Sequence, residues 1–397
     1  MNSREKFLAA MRTKAGGTMP GGGRPQVPKV EFGYWAGTVR RWLGEGLKEI
    51  SPIPESIPDG EAVMANKNIF GRMEKAGDVN VQPVFGLDWY LTKFPCDYSP
   101  RFKTEIIEKN ETHIVYRDSY GVLCKNDVNM RSLPLELDNP VKDWATWNEY
   151  KRHYGEETVE ARLPPGWKSL AASLKNRDFP IRLGGTNGGF LGFPRQIMGV
   201  TNYLLALYDE PELIHDICDT YLLFLTAYYG RILEDIDVDC LLIWEDMAGK
   251  QGSLISPAHF TEFLRPRYKA MVNFAKARGV DIILTDSDGF VEELIPLIAE
   301  TGVTGMYPME RAAGNDLLRI REAFPEFQLI GGFDKRVLFG NSPREAIDAV
   351  LAITEAMLDK GRYIPHVDHF VTPDCTWENF QYYRQRLNGI IDRHCGS

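Results

Sequence analysis

The chain has 397 residues, 44% of them hydrophobic and 25% charged, which is the composition of an ordinary globular protein with a sizeable core. Its formal net charge of -9 and the lack of a long lysine or arginine run argue against a nucleic acid partner. The longest strongly apolar stretch, residues 221–230, is too short for a membrane-spanning helix, which needs roughly 20 residues.

The N-terminal region is predicted to be a short helix followed by a flexible segment. Ser3 is placed to cap this helix, and Phe7, Leu8 and Met11 share one of its faces. Residues 16–28 are interrupted by glycine and proline, which predicts a flexible lead-in. The apolar run in the helix is too short for the core of a signal peptide, so we expect a cytoplasmic protein.

The next part of the chain has an irregular pattern with several β-like runs. Residues 30–35 and 81–85 are predicted to be strands. Residues 104–124 predict a β-rich excursion, with a strand at 114–117 and a turn at 119–121.

Six scattered cysteines contain no Cys-x-x-Cys pair, which predicts free thiols rather than disulfides or a zinc knuckle.

From residue 180 onward, short apolar strands alternate with helices, for example at 211–233 and 257–278, as in parallel sheets with crossover helices. Six strands are predicted here, at residues 181–184, 240–244, 281–285, 304–307, 328–331 and 363–365. With the two earlier strands the count is eight. The chain lacks the Gly-x-Gly-x-x-Gly turn and the Gly-Lys-Ser/Thr loop of open nucleotide-binding sheets. We therefore predict an α/β fold, a (β/α)8 TIM barrel with an irregular, partly β N-terminal extension.

The predicted domain organisation is a helix and linker at residues 1–28 and one barrel domain at residues 29–397. Within the barrel, the glycine-rich segment 184–189 has the wrong spacing for a dinucleotide-binding turn. We interpret it as a mobile loop over the mouth of the barrel.

Polar residues follow four of the predicted strands, at the ends where TIM barrels carry their active sites. They are Glu245 and Asp246, Asp286 and Asp288, Asp334, Lys335 and Arg336, and finally His366, Asp368 and His369. Two carboxylates at positions i and i+2, with a histidine from a neighbouring strand end, can supply three ligands to a divalent metal and leave one position open. The alternative for Asp286 and Asp288 is that they cap a helix starting near Phe290.

The other candidates have both a functional and a structural interpretation. Glu245, Asp246, His366 and Asp368 are candidates for moving a proton or orienting a ligand. Lys335 and Arg336 would bind an anionic group of the substrate or form an ion pair at a helix start. Aromatic residues near strand ends would line an apolar pocket or belong to the core. They are Tyr34, Trp35, Trp89, Tyr90 and Tyr307.

Four motifs resemble the uroporphyrinogen decarboxylase superfamily and occur in the same order as in its members. They are Gly-Ser-Leu-Ile-Ser-Pro at 252–257, Asp-Ser-Asp-Gly at 286–289, Gly-Gly-Phe-Asp-Lys-Arg at 331–336 and Thr-Trp-Glu-Asn at 376–379. The resemblance extends over roughly residues 30–391, is clearest after residue 180, and implies the same barrel fold.

The resemblance implies two kinds of activity. True decarboxylases of the superfamily use no metal and carry an Arg-Gln-Ala-Gly-Arg segment, whereas residues 32–38 here read Phe-Gly-Tyr-Trp-Ala-Gly-Thr. Corrinoid-dependent methyltransferases bind zinc through a His-x-Cys turn and a later cysteine. Asp286 and Asp288 stand at the first two of these positions and His369 stands at the third. The layout is closest to the methyltransferase branch, and the harder ligands suit zinc, manganese or iron.

Our leading hypothesis is therefore a metal-dependent methyltransferase that demethylates a small methoxylated substrate, for example an aryl methyl ether. The methyl group would pass to a corrinoid protein docked at the carboxyl face of the barrel. A first alternative is decarboxylation of a small acid, with Lys335, Arg336 or Arg195 holding carboxylates and Asp88 stabilising a cationic intermediate. A second alternative is a non-catalytic corrinoid- or tetrapyrrole-binding protein.

Overall fold

The computed structural model describes residues 1–14, 16–19, 22–63, 76–128 and 134–396. The helices are α1 (Ser3–Arg12), α2 (Ala36–Gly44), α3 (Ala76–Phe85), α4 (Trp144–Tyr150), α5 (Trp167–Leu174), α6 (Gly192–Met198), α7 (Val200–Asp209), α8 (Pro211–Leu233), α9 (Pro257–His259), α10 (Arg265–Lys276), α11 (Ile295–Ala299), α12 (Leu317–Ala323), α13 (Arg344–Lys360) and α14 (Trp377–Cys395). The strands are β1 (Tyr34–Trp35), β2 (Ala62–Val63), β3 (Thr92–Lys93), β4 (Glu105–Lys109), β5 (His113–Arg117), β6 (Leu123–Asp127), β7 (Leu135–Asp138), β8 (Ile181–Gly184), β9 (Cys240–Trp244), β10 (Ala248–Gly249), β11 (Gly252–Ser253), β12 (Ile283–Asp286), β13 (Gly305–Tyr307), β14 (Gln328–Ile330) and β15 (Tyr363–Ile364).

The centre of the fold is a parallel sheet with the strand order β3-β8-β9-β12-β13-β14-β15. All six strands predicted beyond residue 180 are present, with bounds within two residues of the prediction. The helix predicted at 211–233 is α8, and the one predicted at 257–278 is formed by α9, a π-helical turn (Phe260–Leu264) and α10. The alternation of short apolar strands with helices therefore identified these elements correctly.

The segment that includes β1 closes this sheet into a barrel. On one side, the backbone N–H of Asp88 donates to the carbonyl of Lys29 at 2.7 Å. On the other side, the N–H of Val371 donates to the carbonyl of Gly33 at 3.0 Å, and the N–H of Trp35 donates to the carbonyl of Val371 at 3.3 Å. The predicted TIM barrel is therefore confirmed, although only the end of the predicted strand 30–35 is regular.

A buried ion pair fixes the closing segment. Glu31 and Arg384 are both fully buried, with Nη1 of Arg384 3.4 Å from Oε2 of Glu31. The Glu31 carboxylate also accepts the N–H of Val367 at 2.9 Å and the hydroxyl of Tyr383 at 3.1 Å. Burial raises the pKa of Glu31 and the Arg384 charge opposes that rise. The Glu31 carboxylate thus connects three parts of the barrel. These are the closing segment, the residues that follow β15, and helix α14.

The strand predicted at residues 81–85 is wrong, because these residues end helix α3. Val81 and Phe85, four positions apart, are buried, while Pro83 and Val84 between them are exposed. That spacing places the apolar residues on one helical face instead of alternating them across a strand. The barrel strand at this point of the chain is β3, which the sequence pattern did not reveal.

The predicted β-rich excursion is confirmed as an antiparallel sheet of order β4-β5-β6-β7. The strand predicted at 114–117 is β5, and the predicted turn that follows is present, since the N–H of Gly121 donates to the carbonyl of Asp118 at 3.0 Å. This sheet is the β part of the insertion that precedes β8.

The predicted cap of the first helix is wrong by one position. Asn2 caps α1, since its side chain accepts the N–H of Glu5 while the Glu5 carboxylate accepts the N–H of Asn2. This reciprocal capping box needs an acceptor three residues before Glu5, and Ser3 stands too close. The Ser3 hydroxyl instead accepts the N–H of Trp89 at 3.0 Å.

Two segments were predicted to be flexible, and they differ in the structure. The lead-in has no helix or strand among its described residues, and Pro20 and Gly21 lie outside those residues. The glycine-rich segment 184–189 is almost entirely buried, contrary to the prediction of a mobile loop. A Cβ added at Gly189 would collide with the carbonyl oxygen of Trp244, so glycine is required here for close packing.

The cysteines and the helices agree with the remaining expectations. All six cysteines are free thiols. Burial raises the pKa of the Cys96 thiol to about 11, so it is protonated at neutral pH. Within the described part of the chain, no helix is both long enough and apolar enough to cross a membrane.

Candidate functional site

The carboxyl ends of the barrel strands bring charged and aromatic side chains to one mouth of the barrel. Asp286 ends β12, and it pairs in register with Trp244 at the end of β9 and with Tyr307 at the end of β13. Lys93 ends β3. Because parallel strands end at one level, these residues from distant parts of the chain lie around the same opening.

The predicted metal ligands lie at this mouth, but they form a pair rather than a triad. Oδ2 of Asp288 lies 3.4 Å from Nε2 of His369. Among the described residues, no group of three or more His, Cys, Asp or Glu side chains is arranged to hold a metal ion. The capping alternative is wrong, because α11 begins at Ile295 and has no side-chain cap. The described side chains therefore do not form a preformed three-ligand site.

Asp286 is the carboxylate whose surroundings are most unusual. No hydrogen bond or ion pair from the described residues engages its side chain. Burial raises its pKa well above the usual range for an aspartate, and the negative charges of Asp288 and Asp246 act in the same direction. The positive charges of Arg182 and Lys93 oppose this rise. Asp286 therefore retains a proton at a pH where an ordinary aspartate has lost it.

Two cationic side chains stand beside one another at the same mouth. Lys93 and Arg182 are register partners on the adjacent parallel strands β3 and β8. Arg182 is only 8% exposed, and its guanidinium carbon lies 6.0 Å from the ring centroid of Tyr307. Within the described residues, neither cationic group has a hydrogen bond or an ion pair, and Nη1 of Arg182 is fully buried. Burial lowers the pKa of Lys93, and the charge of Arg182 lowers it further.

Aromatic rings and one histidine line the interior between these charges. Nδ1 of His366 lies 2.6 Å from the carbonyl oxygen of Val367, so Nδ1 carries the proton and Nε2 accepts from the hydroxyl of Tyr90 at 2.9 Å. Burial lowers the pKa of His366 to about 3. The ring of Tyr307 lies 6.1 Å from that of Tyr90 and 5.6 Å from that of Phe32, centroid to centroid. His366 is therefore a neutral part of the wall at ordinary pH.

Glu245 and Asp246 have partners within the protein. The buried carboxylate of Glu245 accepts the backbone N–H groups of three consecutive residues at the start of α6, Phe190, Leu191 and Gly192. Asp246 has a left-handed backbone with φ of 51°, and its Oδ2 lies 3.0 Å from Nη2 of Arg195. Nη1 of Arg195 also donates to the Asp246 carbonyl at 2.6 Å. Glu245 holds a helix start, and Arg195 fixes a strained turn.

The charged residues after β14 and β15 also pair with each other. Asp368 is fully buried and accepts the N–H groups of Ala312 at 3.1 Å and Lys335 at 3.3 Å. The ammonium group of Lys335 lies 3.6 Å from Asp368, and Nη2 of Arg336 lies 2.6 Å from Oδ2 of Asp334. Burial raises the pKa of Asp368, and the Lys335 charge opposes this. The two predicted anion-binding cations are thus already neutralised by carboxylates of the chain.

Four other predicted substrate-binding residues are placed away from Asp286 or in the core. Asp88 lies before β3, at the amino end of the barrel, and accepts from the ammonium group of a lysine in α1 at 2.8 Å. Trp89 follows it at the same end. Tyr34 is fully buried against aromatic rings of α2 and α14. Trp35 packs on Phe370, with ring centroids 4.6 Å apart.

Sequence reasoning missed Lys93 and Arg182. Arg182 does leave a signal, because an arginine inside the apolar strand β8 is a charge that is rarely buried without a partner. Lys93 leaves no such signal, because the sequence pattern predicted the strand of this region at residues 81–85 and not at β3. Tyr90 and Tyr307, which were considered as aromatic wall residues, do face each other across the interior.

Comparisons with known proteins found a matching family model and solved structures of similar fold. A solved structure of a methyltransferase from Methanosarcina mazei shares 16% sequence identity, with 99% of each chain covered and a TM-score of 0.57. A B12-independent methionine synthase from a Shewanella species shares 11% identity, with 79% of this chain and 84% of that chain covered and a TM-score of 0.41. No curated protein matches the sequence significantly. A family model described as uroporphyrinogen decarboxylase (URO-D) matches residues 132–388, which is more than half of the chain. The chain therefore belongs to the uroporphyrinogen decarboxylase family.

Proposed function

We propose that the chain is a methyltransferase that removes the methyl group from a small methoxylated substrate, such as an aryl methyl ether. The methyl group passes to a corrinoid carried by a partner protein. The observation that carries this proposal is the Asp286 carboxyl group, which has no hydrogen-bond or ion-pair partner among the described residues and lies at the barrel mouth beside two other carboxylates. An ether oxygen leaves readily only when a proton or a Lewis acid neutralises the charge that develops on it. The likeness in fold to a methyltransferase from Methanosarcina mazei supports the choice of reaction.

In the proposed reaction Asp286 is the general acid. It donates its proton to the ether oxygen as the bond between oxygen and the methyl carbon breaks, so the substrate leaves as an alcohol or phenol. The methyl acceptor would be the corrinoid of the partner protein, which in its reduced form would supply the electron pair for the new bond to the methyl carbon. Asp286 then regains a proton from solvent. Asp288 and Asp246 assist by disfavouring the ionised form of Asp286.

The aromatic wall gives the substrate its place. Phe32, Tyr90 and Tyr307 present rings around the interior, which suits a flat apolar ring. Asp286 lies at the end of β12, in register with Tyr307, so the ring and the acid meet at one level. The methyl group would face the opening, where the corrinoid protein has to dock.

The proposal is tested by methyl transfer to free cob(I)alamin under anoxic conditions, followed by the absorbance change on methylation. The probes are 3- and 4-methoxybenzoate and anisole. We expect turnover with the intact chain and a loss of at least about 100-fold in Asp286→Asn, the usual scale for a general acid. Asp281→Asn is the matched control, since Asp281 is an exposed carboxylate just before the same strand. Full activity in Asp286→Asn would refute the acid role.

Metal content is measured on the same preparations. We expect the methyl-transfer activity of the preparations not to correlate with their content of zinc, manganese or iron. If the purified protein holds one equivalent of such a metal and Asp286→Asn loses both metal and activity, a Lewis acid replaces the proton and the mechanism above is wrong. This arm also tests the prediction that Asp286, Asp288 and His369 bind a metal.

Decarboxylation is the second candidate function, and the unpaired cations favour it. Lys93 and Arg182 stand ready to bind a carboxylate, and the matching family model is that of a decarboxylase. The two reactions are separated by their products. Carbon dioxide released from carboxylated probes without any methylated corrinoid would replace the methyltransferase proposal with this one.

A further inference from the structure

Lys93 and Arg182 form a cluster of like charges that none of the described residues pairs with. As register partners on neighbouring parallel strands, they project from the same face of the sheet. Like charges in this arrangement repel and destabilise the pair. The guanidinium of Arg182 is buried at 8% exposure, and removing an unpaired charge from water costs several kcal/mol. The arrangement is therefore incomplete without an anion.

The two cationic side chains pack closely against a glycine. A Cβ added at Gly185 would lie 2.9 Å from Cε of Lys93 and 3.3 Å from Nη1 of Arg182. Both side chains therefore converge on the same point. Lys93 itself is exposed to solvent, so an anion from solvent can reach its ammonium group next to Arg182.

The other cations considered for substrate binding are compensated within the protein. Arg195 pairs with Asp246, and Lys335 pairs with Asp368. Asp286 is the carboxylate that acts on Lys93, but among the described residues its side chain forms no hydrogen bond or ion pair with Lys93 or Arg182. An anion supplied by the substrate therefore has no competitor at this pair within the described residues.

We propose that Lys93 and Arg182 form a subsite for the carboxylate of the substrate, and that the substrate is a small aromatic carboxylic acid bearing the methoxy group. The guanidinium fork matches the two oxygens of a carboxylate, and the ammonium adds a second charge-assisted bond. Tyr307, over which Arg182 lies, supplies the neighbouring wall for the ring. This inference names the substrate class and so rests on the proposed function for its role in turnover.

Binding is measured separately from turnover by titrating the full chain with benzoate in a calorimeter. We expect Arg182→Met and Lys93→Met each to weaken benzoate binding by at least about 10-fold, as truncating one partner of a buried charge pair does. Lys125→Met removes an exposed lysine in β6 and is the matched control. Benzamide, the uncharged analogue, is expected to bind weakly and equally to all four proteins.

Several outcomes overturn the subsite. These are no benzoate binding to the wild-type chain, equal affinities in wild type and both variants, or tighter binding of phenyl phosphate than of benzoate. Arg182→Lys keeps the charge and guards against misfolding of the methionine variant, and we expect it to retain more affinity than Arg182→Met. If the wild-type chain transfers no methyl group but the variants show the expected weakening of benzoate binding, only the proposed function is refuted. If anisole and methoxybenzoate turn over equally and the Lys93 and Arg182 variants bind benzoate as tightly as wild type, only the subsite is refuted.

Discussion

The titration of His366 predicts a specific loss of stability in acid. The imidazole is fully buried, donates from Nδ1 to the carbonyl of Val367 and accepts from Tyr90 at Nε2. Both bonds need the neutral ring, and burial lowers its pKa from 6.5 to about 3. Because the folded pKa lies below the unfolded one, protons bind preferentially to the unfolded chain between these values. The free energy of unfolding therefore falls as the pH drops below 6.5.

The magnitude follows from the two pKa values. One pKa unit corresponds to about 1.4 kcal/mol. The titration of His366 alone therefore lowers the free energy of unfolding by about 2 kcal/mol between pH 7 and pH 5. Buried carboxyl groups with raised pKa values, such as Glu31 and Asp368, contribute in the opposite direction over the same range. The free energy of unfolding of the wild-type chain would therefore report only the sum of these opposing effects.

A variant without the titrating group isolates the effect. His366→Asn keeps a donor for the carbonyl of Val367 but does not titrate, and Tyr90→Phe removes a hydrogen bond while leaving the imidazole in place. Urea unfolding at pH 7 and pH 5, followed by tryptophan fluorescence, is the assay. We expect wild type and Tyr90→Phe to lose about 2 kcal/mol more than His366→Asn between the two pH values. If all three lose stability in parallel, His366 is not buried in its neutral form and the reasoning is refuted.

Three further substitutions test the structural roles assigned above, each by urea unfolding at pH 7. Glu245→Gln leaves at least one buried backbone N–H at the start of α6 without an acceptor and is expected to lose about 2 kcal/mol, and an unchanged midpoint would contradict the capping role. Arg384→Met leaves Glu31 buried and unpaired and is expected to lose about 3–5 kcal/mol at pH 7, shrinking at acid pH as Glu31 takes up a proton. Gly189→Ala places a methyl group against a strand carbonyl and is expected to lose at least about 2 kcal/mol, whereas Gly44→Ala, in open space, is expected to lose nothing.

The barrel was predictable because its strands after residue 180 are buried on both sides. Such strands read as short apolar runs, as at β9 and β12, and the helices between them carry the helical period. The closing segment was harder to predict, since Glu31 contributes through one buried ion pair to a residue near the other end of the chain. The strand at 81–85 failed because Val81 and Phe85 satisfy a helical spacing that a five-residue window does not distinguish from a strand.

The candidate site was only partly predictable, for a physical reason. Position after a strand correctly placed Asp286, Asp288 and His369 at one mouth, because strand ends converge in any such barrel. It could not tell which polar side chains are already satisfied. That depends on partners distant in sequence, such as the backbone N–H groups that engage Glu245 or the Asp368 that engages Lys335.

The motifs that carried the resemblance explain why family membership defines the fold more sharply than the reaction. Thr376 caps α14 by accepting the N–H of Asn379, and Asn379 donates to the carbonyl of Phe339. Such roles preserve the barrel whatever its chemistry. Within the described residues, Asp286 and Arg182 are charged side chains at the barrel mouth that form no hydrogen bond or ion pair. A charged group left without a partner inside a protein is a place where a ligand can complete the site, so these two side chains are the first positions at which to test the reaction.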